Sequence, residues 1–230
     1  TGLGTGWPGA EAARTLWDQA CAEALKKEAV HPGVLAFWGP RMTRMGEFVI
    51  AEEEKLRAEN GLLRCLTEHK GSLTLNLTGG DVEIVATADR LDELASGGWR
   101  ILDYKTGQVP GAPQVVEGAA PQLALEAMIL EGSGYPTISA GAKAAALVYW
   151  KLSGGEKPGE EENLGAATKD GRLYAYLART RIAALAQRML LSDAPFESRP
   201  HPARGTPGDD YDHLARVDEW ASGDGDGDGA

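Results

Sequence analysis

Three strand-length runs, punctuated by paired glycines, constrain this chain more than any other feature. Ser72-Leu73-Thr74-Leu75-Asn76-Leu77-Thr78 alternates polar and apolar residues with period two, the pattern of a half-buried strand. Gly79-Gly80-Asp81 is a hairpin signal, since tight strand-to-strand turns favour residues that tolerate positive φ. Val82 to Asp92 reads as the partner strand, and Gly97-Gly98 turns the chain into a third, Trp99 to Lys105. Consecutive strands joined by tight turns form an antiparallel meander.

The third strand ends in Asp103-Tyr104-Lys105-Thr106-Gly107. Alternation along a strand puts Asp103 and Lys105 on one face and Tyr104 on the other. A hard-cation ligand and an ammonium are thus delivered together where a loop opens, a pairing suited to metal-assisted phosphodiester hydrolysis. An Asp-x-Lys triplet arises by chance about once in a chain of this length, and its plain alternative is a surface ion pair. The neighbouring residues shift the balance towards chemistry.

Asp89 lies on the second strand, on the far side of the Gly97-Gly98 turn from Asp103. Antiparallel pairing brings the far ends of the two strands together, so Asp89 can lie beside Asp103. Two converging carboxylates are unfavourable unless a cation or a proton holds them, and Mg²⁺ accepts one or two carboxylates together with water and phosphate oxygens. The alternative for Asp89 is a pair with Arg90, and Asp92 reads as a turn acid. Further on, Gln122 and Glu126 stand four apart on a helix and share a face. Gln122 can bond a nucleophilic water or a phosphate, unless the pair is ordinary helix surface.

The remaining chain supplies the flanking layers. Glu11 to Val30 and Val34 to Arg57 carry apolar residues at helical spacing, separated by His31-Pro32-Gly33. Glu52-Glu53-Glu54 is expected to be a solvated helix face. Val109 to Gly118 reads as a loop, Ala119 to Glu131 as a helix with Pro121 in its first turn, and Ala144 to Leu152 as a buried central strand. Ser153 to Gly165 reads as an exposed loop and Lys169 to Leu191 as a long amphipathic helix. Pro195 to Asp210 reads as an extended arm, and Tyr211 to Trp220 as a short helix. Gly223 to Ala230 is a Gly/Asp repeat that cannot bury a core.

The order predicts a mixed α/β fold, an antiparallel three-strand meander followed by a helix and a further strand, flanked by helices. It divides into an N-terminal helical region at 1–71, a core with the long C-terminal helix at 72–192, and an arm, short helix and acidic tail at 193–230.

Charge and cysteine count narrow the class. The net charge is -11, but ten acids and only three basic residues lie from Asp193 onward, so the preceding body is close to balanced. Such a body is not built for strong autonomous DNA binding, yet it can carry a metal-dependent site within a larger assembly. Cys21 and Cys65 are too few for a four-cysteine cluster and are expected to be buried thiols in a reducing cytoplasm. His31, His69, His201 and His213 lack ligand spacing. No apolar run reaches the ~18 residues of a membrane span, and no leader is expected. A start at Thr1 reads as a processed or excised piece.

Ala88-Asp89-Arg90-Leu91-Asp92, Ile101-Leu102-Asp103-Tyr104-Lys105-Thr106-Gly107 and Ala120-Pro121-Gln122-Leu123-Ala124-Leu125-Glu126 together resemble the PD-(D/E)XK nuclease superfamily in its RecB-like branch. Within that branch they are similar to the C-terminal nuclease domains of the AddB family. The likeness extends to Ala36-Phe37-Trp38-Gly39-Pro40-Arg41, to Tyr149-Trp150-Lys151-Leu152-Ser153-Gly154-Gly155 and to Tyr211-Asp212-His213-Leu214-Ala215-Arg216-Val217.

The resemblance implies a restriction-endonuclease-like core and a Mg²⁺-dependent deoxyribonuclease of exonuclease type, with Mn²⁺ able to substitute. Asp89, Asp103 and the main-chain carbonyl of Tyr104 would ligate the metal. Lys105 would orient the attacking water and stabilise the transition state, and Gln122 would complete the site. The implied setting is double-strand break repair in the cytoplasm, with DNA, an AddA-like helicase–nuclease subunit and the rest of a longer AddB chain as partners. No iron–sulfur cluster is expected.

Three departures from the family pattern stand out: no upstream Gly-x-x-x-His motif, Ala86 where Gly is usual, and Glu126 where the branch places Tyr. Two alternatives stay open at this point. One is a nuclease-like domain that has become a structural or DNA-guiding module. The other is an unrelated interaction domain in which the triplet is incidental.

Overall fold

The computed structural model describes residues 6–28, 32–164 and 171–195. Two helices, α1 (Ala10–Glu28) and α2 (Pro32–Asn60), precede β1 (Leu62–Leu77), β2 (Gly80–Leu94) and β3 (Trp99–Lys105). Then come α3 (Ala112–Glu117), α4 (Gln122–Glu131), β4 (Ala144–Leu152), β5 (Gly159–Asn163) and α5 (Arg172–Met189). The five strands form one sheet in the order β1-β2-β3-β4-β5. The expected meander is present, and β4 joins it parallel to β3 while every other pairing is antiparallel.

Alternation along the central strands builds a core on each face of the sheet. Ile101, Leu147 and Tyr149 belong to one apolar cluster, with Leu123, Ala127 and Leu130 of α4 and Tyr174 and Ala175 of α5. Leu102, Val148 and Trp150 turn to the other face, where Met45, Phe48 and Val49 of α2 and Trp17 of α1 meet them. The result is helix, sheet, helix. A near-continuous apolar run is what a strand covered on both faces requires, and β4 is such a strand.

Several expectations need correction. The first strand begins at Leu62, well before Ser72, so the sheet extends into the stretch expected to be helical. The segment expected as a loop at Val109–Gly118 contains α3, with Pro113 in its first turn and Gly118 closing it at φ 80°, where a glycine is favoured. Ser153 to Gly165 is not simply a loop, because Gly159–Asn163 pairs with β4 as the edge strand β5. Its Gly-Glu-Glu-Glu-Asn sequence has poor strand propensity, but charge is how natural sheets blunt an outer edge. Gly159 also lies against the Phe48 ring, which any side chain would strike.

Two charged groups expected at the surface are buried. Asp92 is fully buried between Arg90 (2.8 Å) and Arg100 (2.9 Å). Glu53 is not part of a solvated face but is buried and paired with Arg90. Together these four tie α2 to β2 and β3 beneath the sheet. Cys65 is buried as expected and Cys21 only partly so, and both are free thiols. The expected helix at Tyr211–Trp220 and the Gly/Asp tail lie outside the described residues.

Candidate active site

The site forms where β2 and β3 separate. Their ladder runs from Glu93↔Trp99 to Arg90↔Leu102. The next step in that register sets Asp89 opposite Asp103, at the fork where the ladder ends. The ladder with β1 is also interrupted opposite Asp89, between Thr67↔Arg90 and His69↔Ala88, where Glu68 takes φ 48°. Asp89 is held by the other strand, since the backbone N–H of Tyr104 donates to its Oδ2 at 3.1 Å. Arg90 takes no part in holding Asp89. Its side chain turns to Asp92 and Glu53 on the opposite face.

Asp103 and Lys105 share the α4 face of the sheet. Lys105 Nζ donates to Asp103 Oδ1 at 3.0 Å and to Gln122 Oε1 at 2.9 Å. Gln122, the first residue of α4, donates its Nε2–H to Asp103 Oδ1. Aspartate, lysine and glutamine thus close a three-membered ring of contacts. An ammonium has three protons to give, and these two partners leave one of them for water or a phosphate oxygen. Tyr104 points the other way, with its hydroxyl 3.4 Å from Arg90 and its ring edge-on to Trp150. Of the four side chains singled out from the sequence, Asp103, Lys105 and Gln122 touch one another, and Asp89 joins them through the Tyr104 backbone, its charge acting on the Asp103 carboxyl.

Electrostatics sharpen the picture. Asp103 is 1% exposed. Burial pushes its carboxyl above the usual carboxylate range and Asp89 adds to that, against the opposing pull of Lys105 and the Gln122 amide. Its Oδ2 lies 2.8 Å from Lys105 Nζ but out of line for a hydrogen bond, and is buried with no hydrogen-bond partner. A buried, under-satisfied carboxylate oxygen beside a second carboxylate is a donor set that suits a hard divalent cation. Among the described residues, no three His, Cys, Asp or Glu side chains gather closely enough to hold a metal by themselves. A cation here would complete its shell with backbone carbonyl, water or substrate oxygens, as Mg²⁺ commonly does.

Glu126, which the sequence placed on the Gln122 face, is also part of this cluster. It is 1% exposed, and burial lifts its carboxyl to about 8, with Asp103 and Asp89 adding to the shift and Gln122 and Lys105 opposing it. Its charge in turn contributes to raising the Tyr135 and Tyr149 hydroxyls, which burial chiefly raises. The signal for it was available: a lone acid inside Leu123-Ala124-Leu125-Glu126-Ala127-Met128-Ile129-Leu130.

With this geometry in view, comparison with known proteins is direct. The family model of the PD-(D/E)XK nuclease superfamily matches residues 4–205, and the chain belongs to that superfamily. Its mixed α/β architecture, a mostly antiparallel five-strand sheet flanked by helices, is that of a restriction-endonuclease-like fold.

Among curated proteins, the chain is 41% identical over 68 residues to the uncharacterized protein RC0550 of Rickettsia conorii, covering 30% of this chain and 8% of that protein. An uncharacterized protein of Rickettsia bellii is 30% identical over 99 residues, covering 43% of this chain and 12% of its own length. The matched segments therefore span only about a tenth of these relatives. The crystal structure of SSO0001 aligns over 84% of this chain and 82% of its own, with a TM-score of 0.35 and 15% identity. Nucleases of this superfamily generally use divalent metals. No described helix is long and apolar enough to cross a membrane.

Proposed function

We propose that the chain is the nuclease domain of a larger DNA-processing protein and hydrolyses DNA phosphodiester bonds with Mg²⁺, which Mn²⁺ can replace. The observation that carries this reading is the convergence of Asp89, Asp103, Lys105 and Gln122 at the fork of β2 and β3. Asp89, Asp103 and the main-chain carbonyl of Tyr104 would hold the cation. When bound, it would supply Lewis-acid polarisation of the scissile phosphate and charge neutralisation.

The chain's own residues do the remaining work. Lys105 has an ammonium proton to hold the attacking water or to stabilise the charge that develops on the phosphate oxygens. Asp103 keeps that ammonium in place, since its carboxylate and the Gln122 oxygen fix two of the three N–H directions. Gln122 stands at the mouth of the site, where its oxygen, beside the bond it accepts from Lys105, has a lone pair left to accept from the water.

The local likeness to AddB-type nuclease domains extends the proposal. The reaction would be exonucleolytic trimming during double-strand break repair in the cytoplasm, with an AddA-like helicase–nuclease subunit feeding the strand. The small share of the curated relatives covered by this chain supports a domain of a much longer protein. Lys151 lies beside Lys105 in the β3–β4 register, with Glu160 of β5 on its other side, and offers a second ammonium to a strand that passes Lys105.

The test is cleavage of end-labelled linear and covalently closed circular single-stranded DNA with Mg²⁺. Exonuclease action degrades the linear form alone. Cutting of the circle would reassign the activity as endonucleolytic. Failure to cut either, with the fold intact, would favour a structural or DNA-guiding module.

A further inference from the structure

α4 buries Leu123, Ala124, Ala127, Met128, Ile129 and Leu130 in the main core, and it buries Glu126 with them. Nothing structural accounts for an acid there. Among the described residues Glu126 forms no ion pair, and its Oε2 is buried without a hydrogen-bond partner. A buried carboxyl so placed weakens the fold relative to an apolar residue of similar size. Residues that break the local rule in this way are expected at functional sites. Glu126 stands one helical turn behind Gln122 on the same face of α4.

We infer that Glu126 is a positioning residue, which holds the Gln122 side chain with its nitrogen towards Asp103 and its oxygen towards Lys105. The two ends of a glutamine amide have nearly the same shape, so only hydrogen-bond partners decide which way it faces. One N–H goes to Asp103 and the oxygen accepts from Lys105, which leaves a second N–H to be directed. An oxygen of Glu126 behind it favours the observed orientation, because the flipped amide would set oxygen against oxygen. The ionised carboxylate accepts only and so enforces this orientation, whereas the protonated carboxyl keeps an acceptor for that N–H but also has an O–H to give and discriminates less. Asp103 is the group a cation would draw upon, whereas Glu126 lies behind the amide and keeps its hold while Asp103 is engaged. Gln122 then keeps its oxygen on Lys105.

The consequence for catalysis rests on the nuclease reading, whereas the amide orientation does not. The test uses the 230-residue chain as wild type, Glu126→Leu and Glu126→Gln, with the side-chain amide protons of Gln122 followed by NMR. Wild type should show a distinct, exchange-protected amide pair. In Glu126→Leu the pair should broaden and lose protection while the melting temperature holds or rises. In Glu126→Gln, which retains an acceptor oxygen, most of the protection should return.

In DNA cleavage, Glu126→Leu should lower kcat about tenfold without changing KM, and should cost nothing further in a Gln122→Ala background. Unchanged Gln122 amide signals in Glu126→Leu, or an effect that multiplies with Gln122→Ala, would overturn the inference. A wild type that cuts no DNA, yet shows the amide response, would overturn the nuclease reading and leave the positioning role standing.

Discussion

The ammonium of Lys105 donates to the side-chain oxygen of Gln122 at 2.9 Å, across the gap between β3 and α4. That contact joins the strand carrying the Asp-x-Lys triplet to α4, and brings the two motifs together. Replacing Gln122 with Ala should leave the fold intact, because the residue is exposed at the start of α4. It should lower kcat about 10²-fold, as expected for loss of a group that orients reacting atoms. Steady-state cleavage with circular dichroism as a folding control checks this. An unchanged kcat would remove Gln122 from the site.

Beneath the sheet, Asp92 faces two buried guanidinium groups, Arg90 and Arg100. Asp92→Ala leaves both without their central partner, and breaking a buried pair from one side costs about 3–5 kcal/mol. Urea unfolding should show the midpoint falling by a corresponding amount. A loss below about 1 kcal/mol would mean that water or rearrangement satisfies the two arginines.

Glu126 makes stability depend on pH. Its folded carboxyl titrates at about 8 instead of the ordinary 4.5, so between those values the folded chain holds a proton that the unfolded chain has released. Stability therefore falls as pH rises through that window, and this contribution is flat below and above it. Glu126→Gln lacks the titration. Its melting temperature should gain on wild type from pH 5 to pH 8.5, by thermal unfolding at matched ionic strength. A gap that stays constant across that range would contradict the assignment.

How much of this was legible beforehand depends on the range of the interaction. The meander announced itself through period-two alternation and paired glycines, both short-range signals. Asp89 and Asp103 could be matched because one tight turn separates their strands. The edge strand β5 was hidden, since Gly159–Asn163 pairs because β4 offers an open edge and not because glutamates favour strands. Glu53 and Asp92 were misjudged for a related reason. A charged run on a helix is read as solvated, and nothing local reports that Arg90, 37 residues away, will come to meet Glu53.

Two motifs remote in sequence proved to touch. Arg41 donates to Ser153 O at 2.9 Å, and Arg44 donates to Gly154 O at 2.6 Å. The α2 segment beginning Ala36-Phe37-Trp38 therefore clasps the turn after Tyr149-Trp150-Lys151, a contact that neither stretch alone could disclose.

Lys151 lies beside Lys105 in the parallel ladder and is half-buried at the rim of a depression of about 370 Å³, which Glu160 and Glu162 also line. If the substrate backbone crosses that rim, Lys151→Ala should raise KM for single-stranded DNA severalfold with little change in kcat. It should also flatten the salt dependence of binding by about one counterion. A fall in kcat alone would place Lys151 in the reaction instead.

The most direct test of the central claim is Mg²⁺-dependent cleavage of single-stranded DNA by the wild-type chain beside Asp103→Ala and Lys105→Ala. The wild type should cut, and both variants should lose about 10²-fold or more in rate while remaining folded. Cleavage that persists undiminished in either folded variant would contradict the site described.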